Sequence, residues 1–288
     1  MDRPQEPYFR IFDGMGITHR REGDSLTVRG RLRPGEYPMP GDVSSQFVTG
    51  LLFALPLLEG PSTIVPTTAV ESWDYICMTL DALTGAGVAV PEPRRGGAFS
   101  ISPHPYCSFD RRVEADWSQA GFWYAADFLD SHVDIRGLNP DSAQGDRVVS
   151  ELYWKLARPG DAEIDVSGCP DLLPPLAVMA AVRSGATRFT NAARLRMKES
   201  DRLATVAALL TALGGQAEEG PDFLTVRGGP LSGGAVDCAN DHRIAMAAAV
   251  AATACASPVT IRGAECVKKS YPDFWEVYQA LGGDIHVL

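Results

Sequence analysis

A repeated unit restricts the fold of this chain more than any other sequence feature. Three stretches close in nearly the same way: Leu80-Asp81-Ala82-Leu83-Thr84-Gly85, Leu210-Thr211-Ala212-Leu213-Gly214-Gly215 and Tyr278-Gln279-Ala280-Leu281-Gly282-Gly283. In each, an amphipathic helix runs out into glycine, the residue that ends helices in a left-handed conformation. β-Branched strands are expected at 62–65, 133–136, 187–190 and 259–262, each leading through a short loop into a helix. Paired short strands are expected at 88–90 with 99–101, and at 216–218 with 223–226. Between these units lie helices that are apolar all round, at 47–58, 176–182 and 244–255, and such helices are buried. The unit reads β-α-β-α-β-β, an α/β fold with one exposed and one central helix per copy.

The copies are unequal. Residues 8–16 read as the end of an exposed helix, and 17–19 with 26–28 as two closing strands, so the chain is expected to start mid-unit. The alternative is an atypical terminal unit, as end caps of repeat proteins often are. His104-Pro105-Tyr106-Cys107 interrupts the pattern, which places a domain boundary within 103–112. The expected division is an incomplete first domain, 1–110, and a fuller second one, 111–288, whose middle unit is shortened at Arg158-Pro159-Gly160.

The chain has 36 Asp and Glu against 26 Lys and Arg, a net charge of −10 over 288 residues. That balance lacks the dense basic face a nucleic-acid surface needs. No apolar run reaches a membrane span, and the first six residues lack the regions of a signal peptide, so a cytoplasmic location is expected. The six cysteines are scattered without a CxxC pair, and the five histidines have no ligand spacing. Neither a structural metal nor a disulfide framework is expected.

Against this acidic background, cations gather at helix starts. Arg196-Met197-Lys198-Glu199-Ser200-Asp201-Arg202 precedes the apolar run 203–213. Lys198 and Arg202 are four apart, so they are expected to share a helix face and repel, and both oppose the helix dipole. An anion held between them would reverse both penalties. Asp241 is expected to cap the helix that carries Arg243, and Pro272 to occupy a first helical position after Lys268-Lys269. Three cationic helix starts suggest a small anionic substrate, while the plain alternative is a set of solvated charges. Ser44, Ser45 and Gln46 lead into an apolar helix and can form a neutral anion cradle, unless a serine serves only as the cap. Asp171 opens another buried helix, either as its cap or as a proton acceptor. Tyr75 reads as half-buried packing or as a ligand contact.

SSQF at 44–47, SWDY at 72–75, PDLLPP at 170–175, RLRMKESDR at 194–202, NDHRIAM at 240–246 and KKSYPDFW at 268–275 stand in this order along the chain. In these motifs it resembles the 5-enolpyruvylshikimate-3-phosphate synthases of the enolpyruvyl transferase family. The related UDP-N-acetylglucosamine enolpyruvyl transferases share the fold but are not similar at the SSQ and KESDR positions. The resemblance implies a two-domain inside-out α/β barrel of β-α-β-α-β-β units that closes over substrate at a hinge. It also implies transfer of the enolpyruvyl group of phosphoenolpyruvate to the 5-hydroxyl of shikimate 3-phosphate, with release of phosphate and no cofactor or metal.

By resemblance, Ser44, Ser45, Ser72 and Lys198 would hold the shikimate phosphate, and Gln46 and Tyr75 would flank the ring. Asp171 would orient and deprotonate the hydroxyl, Glu199 would protonate the methylene carbon, and Arg202, Arg243 and Lys269 would bind phosphoenolpyruvate. Arg194 stands where the family usually has Asn, as a further candidate contact. By the same resemblance, the family's N-terminal segment, with several phosphate-binding residues, is expected to be missing. A monomer is expected, or association through the incomplete first domain. The competing expectation is an inactive fragment that binds small phosphorylated anions or needs an N-terminal partner. A third is an enolpyruvyl transferase acting on another alcohol.

Overall fold

Crossover connections shape this chain. The computed structural model describes residues 5–94 and 96–288; residues 1–4, which bear on the signal-peptide reading, lie outside the described residues. The chain divides between Val113 and Glu114 into two compact units.

In the first unit, α1 (Glu6–Met15) ends at Gly16, whose φ of 69° is the expected left-handed cap. An antiparallel hairpin follows, β1 (Thr18–Glu22) with β2 (Ser25–Arg29). Then β3 (Glu36–Met39) runs through α2 (Ser45–Ala54) to β4 (Ser62–Pro66), and β4 through α3 (Trp73–Gly85) to β5 (Phe99–Ile101). β3 and β4 are parallel and β5 is antiparallel, in the order β3-β4-β5. Tyr37, Met39, Val48, Leu52, Ile64, Ile76 and Phe99 fill the space between sheet and helices. Gly50 lets α1 lie close to α2: a Cβ there would stand 2.1 Å from the Tyr8 hydroxyl, which donates to the Phe47 carbonyl at 3.1 Å. The strand expected at 88–90 makes no ladder, although Val88 is buried. Pro91 and Pro93 follow it directly and have no N–H to donate, which limits pairing there.

The second unit contains α4 (Trp117–Ala126), α5 (Val149–Leu156), β6 (Ala162–Asp165), α6 (Leu173–Val182) and β7 (Ala186–Thr190). It continues with α7 (Arg202–Ala212), β8 (Gln216–Glu219), β9 (Leu224–Arg227), β10 (Gly234–Asp237), α8 (His242–Ala252), β11 (Val259–Arg262) and α9 (Phe274–Ala280). From β6 to β9 the expected β-α-β-α-β-β unit is complete, as a sheet ordered β6-β7-β9-β8 with one parallel and two antiparallel pairings. β10 and β11 pair in parallel across α8. The helices α4, α6 and α8 pack on one another and are buried almost throughout. Alanine and glycine along them allow that approach, and α4 is the central helix that the apolar-run reading missed. Its Trp, Gln and Tyr residues disguise a buried segment.

Residues 133–136 form no strand. Val133 and Ile135 do pack against the core while Asp134 and Arg136 pair outside. Alternation therefore reported a half-buried face correctly, but a ladder also needs a partner strand. Pro272 is not a first helical residue: α9 starts at Phe274 after a turn in which the Phe274 N–H reaches the Tyr271 carbonyl. At the shortened 158–160 turn, buried Arg183 donates to the Leu156 carbonyl at 2.7 Å and the Gly160 carbonyl at 2.6 Å. Among the described residues, no helix is long and apolar enough to cross a membrane.

Candidate active site

Asp201 decides where α7 begins. Its Oδ1 accepts the Ala204 N–H at 3.1 Å, so the first helical residue is Arg202. Lys198 lies before the helix in an extended conformation, with φ −82° and ψ −157°. The expectation of Lys198 and Arg202 on one helix face is thus corrected: the cap intervenes between them. Lys269 differs in a similar way, since it ends the 3-10 turn Ala264–Lys269 and opens no helix. Of the three expected cationic helix starts, those of Arg202 and Arg243 stand within α-helices.

Arg202 has no exposed side-chain surface, and carboxylates surround it. Its Nη1 donates to Asp171 Oδ1 at 2.7 Å, its Nη2 to Glu199 Oε2 at 2.6 Å and its Nε to Asp241 Oδ2 at 3.0 Å. Removing a guanidinium from water costs several kcal/mol, and good geometry with several charged acceptors offsets that cost. The chain itself supplies the negative charge expected from a ligand. Burial would lower the Arg202 pKa, but Asp171, Asp241 and Glu199 override it and hold the proton more firmly than usual.

Asp171 does not cap α6. It sits in the turn Pro170–Leu172, and its oxygens also meet Lys198 Nζ at 3.3 Å and Arg243 Nη2 at 3.0 Å. Burial would raise its pKa, yet Arg243, Lys198 and Arg202 together hold it well below the usual carboxylate range. Lys198 goes the other way. Burial lowers its pKa, and the neighbouring Arg202 and Arg194 add to that despite the opposing pull of Asp171.

The central helices explain why these groups meet. Arg243 stands in the first turn of α8, which Asp241 caps through the Arg243 N–H at 3.0 Å. Its Nη1 donates to Ser118 Oγ at 2.7 Å, in the first turn of α4, and its Nη2 reaches Asp171 just ahead of α6. The N-terminal ends of α4, α6, α7 and α8 therefore converge, and helix N-termini attract anions. Lys269 Nζ donates to the Asn240 carbonyl at 2.6 Å, directly before Asp241. His242 is buried, and among the described residues neither of its ring nitrogens has a hydrogen-bond partner. Burial and the adjacent Arg243 lower its pKa.

The structure thus brings together Asp171, Lys198, Glu199, Arg202 and Arg243, with Lys269 and Arg194 on adjoining turns. In the first unit, Ser44 caps α2 by accepting the Gln46 N–H at 3.3 Å, Ser45 is buried and Gln46 is exposed. Ser72 precedes α3 in a left-handed conformation, φ 51°, and Tyr75 is half-buried in its first turn. The residue that sequence reasoning undervalued is Asp241. Besides capping α8, it accepts from Arg202 and from Ser200 Oγ at 3.0 Å. Its signal was present: an aspartate between Asn240 and His242-Arg243, beside a second cationic helix start. Converging helix ends, cations and ionised carboxylates can bind phosphate or carboxylate groups and exchange protons with them.

A model of the EPSP synthase (3-phosphoshikimate 1-carboxyvinyltransferase) family matches residues 2–278. The 3-phosphoshikimate 1-carboxyvinyltransferase of Clostridium acetobutylicum is 43% identical over 302 aligned residues, covering 99% of this chain and 70% of that protein. Its counterpart in Clostridium kluyveri is 42% identical over 303 residues, covering 99% and 71%. The chain spans 70% to 71% of the length of these relatives. Among solved structures, EPSP synthase from Acinetobacter baumannii superposes with a TM-score of 0.77 at 24% identity, covering 99% of this chain and 72% of that one. The enolpyruvyl transferase NikO from Streptomyces tendae superposes with a TM-score of 0.72 at 18% identity, covering 98% and 72%. These two likenesses bear on the fold, an inside-out α/β architecture with its helices packed within. By family model and by identity to these relatives, the chain belongs to the EPSP synthase family.

Proposed function

We propose that this chain transfers the enolpyruvyl group of phosphoenolpyruvate to the 5-hydroxyl of shikimate 3-phosphate, releasing phosphate. The observation that carries this reading is the meeting of Asp171 and Glu199 on the guanidinium of Arg202, beside Lys198 and Arg243. Two carboxylates set among cations can divide the proton traffic of an addition–elimination between them.

Asp171 stays ionised at neutral pH and accepts the proton of the attacking hydroxyl. Because so acidic a group is a weak base, that proton moves as the new C–O bond forms. Glu199 delivers a proton to the methylene carbon of phosphoenolpyruvate. Elimination then breaks the C–O bond to phosphate while a proton of the new methyl group returns to Glu199, restoring the double bond, and the proton on Asp171 leaves with the phosphate. Arg243 and Lys269 bind the phosphate and carboxylate of phosphoenolpyruvate, and Arg202 joins them once the substrate displaces one of its carboxylate partners. Lys198 serves the phosphate of shikimate 3-phosphate, with Arg194 as a further contact. Ser44, Ser45 and Ser72 are the hydroxyl donors to that phosphate, and Gln46 and Tyr75 flank the ring. The reading carries with it a cytoplasmic enzyme with an incomplete first enolpyruvyl transferase domain, 1–110, and a second one, 111–288, either monomeric or associated through the incomplete domain.

The test is phosphate release on mixing the full chain with both substrates. Asp171→Asn and Glu199→Gln should each lower kcat by about 10²–10⁴-fold, the range expected for loss of a general acid or base. If wild type releases no phosphate while shikimate 3-phosphate still raises Tm, the chain is a binding module and the transfer reading fails. Turnover with a different alcohol in a substrate panel would move the acceptor assignment.

A further inference from the structure

Arg196 belongs to the charged run ahead of α7, yet its bonds run away from the cluster around Arg202. Its guanidinium donates to Asp201 Oδ2 at 2.7 Å and Glu219 Oε2 at 2.9 Å. It also donates to the Gly220 carbonyl at 2.6 Å and the Pro221 carbonyl at 3.2 Å. Three of these acceptors lie at the end of β8 and in the turn that leads to β9. The fourth is the N-cap of α7. Asp201 divides its carboxylate, with Oδ1 on the Ala204 N–H and Oδ2 on Arg196.

Between these anchors, residues 198–200 belong to neither helix nor strand. Backbone outside helix and ladder lacks their regular hydrogen bonds, and side-chain bonds at its ends help to fix its course. Ser200 Oγ, bonded to Asp241, holds one end at 3.0 Å. Arg196, at the other end, is tied to Asp201 and to the β8–β9 turn. The planar fork of an arginine reaches acceptors in several directions at once, which a lysine ammonium on a flexible stem does not.

We propose that Arg196 is a positioning residue for the reaction: by locking Asp201 to the β8–β9 turn, it fixes where Lys198 and Glu199 present their charged groups. This rests on the roles given to Lys198 and Glu199 above. The Arg196 guanidinium is directed to Asp201, Glu219 and the 220–221 carbonyls, so its proposed role is positioning. Removing it leaves both reacting side chains present but loosely aimed, and a displacement on the order of 1 Å costs about 10²-fold in rate.

The experiment compares wild type, Arg196→Ala and Arg196→Lys as full chains, assayed well below their Tm. Arg196→Ala should lower kcat by about 10²-fold, with a smaller change in KM for phosphoenolpyruvate. Arg196→Lys keeps one ion pair to Asp201 and should recover part of the rate. Hydrogen exchange supplies a readout independent of turnover: in Arg196→Ala the amides of 198–204 should exchange about tenfold faster or more, while those of α8 stay unchanged. An unchanged kcat in Arg196→Ala, or unchanged exchange at 198–204, overturns the proposal. If wild type itself releases no phosphate, the reaction assigned above fails, and the exchange experiment alone decides whether Arg196 holds this segment.

Discussion

The heads of α2 and α7 prepare the same backbone feature in opposite ways. At α2 the first turn carries no charge: Ser44 caps it, Ser45 is buried and Gln46 faces outward. At α7 a guanidinium occupies the first helical position, fully buried and hydrogen-bonded to three carboxylates. A neutral hydroxyl cradle loses little hydration and needs no partner beyond its own cap. A buried cation loses far more, and the fold tolerates it only because Asp171, Glu199 and Asp241 come from three different segments to meet it. Cations at a helix start are therefore not evidence of an empty anion site by themselves. Here they are held ready by acids of the same chain.

The comparison can be broken most directly at Arg202. Arg202→Ala would leave Asp241 buried without its cation and should cost about 3–5 kcal/mol of stability, read by urea unfolding. A loss below about 1 kcal/mol, the scale of an exposed ion pair, would mean that the carboxylates do not depend on it. Asp171→Asn comes next, at about 1.5–3 kcal/mol at pH 7, since it removes charge-assisted bonds to cations.

That second effect has a definite pH signature. The folded-state pKa of Asp171 lies well below the unfolded value of about 3.9. Its contribution is thus fully present above the unfolded value and is lost as pH falls through the folded one. Stability curves of wild type and Asp171→Asn should converge in acid, and curves that stay parallel would show that charge at Asp171 is not what stabilises. Ser44→Ala should cost about 1 kcal/mol, the usual value of a helix cap. Lys198→Met should change stability least, by under about 1 kcal/mol, because burial and Arg202 already oppose its charge. A large loss there would erase the contrast between the two cations of one motif.

Much of the architecture was legible in the sequence. The strand at 259–262 appears as expected, the one at 187–190 gains one residue, and the unit from β6 to β9 is complete. Caps were readable too, because Ser44 and Asp241 act within two residues of themselves. Several of the failures depended on distant partners. Residues 133–136 and 88–90 have alternating burial, but no strand pairs with them. The central role of α4 was hidden because aromatic residues make it look like a surface helix until α6 and α8 close around it.

By itself, the sequence determined which residues would be charged, that the apolar runs of α6 and α8 would be buried and that Ser44 and Asp241 would cap their helices, since these follow from residue type and short spacing. Only the tertiary structure decided how the charges balance. Asp171, Glu199 and Asp241 lie up to 70 residues apart along the chain, yet they share one guanidinium. Coulomb energy depends on distance in space and on the water excluded between charges, and spacing along the chain carries neither.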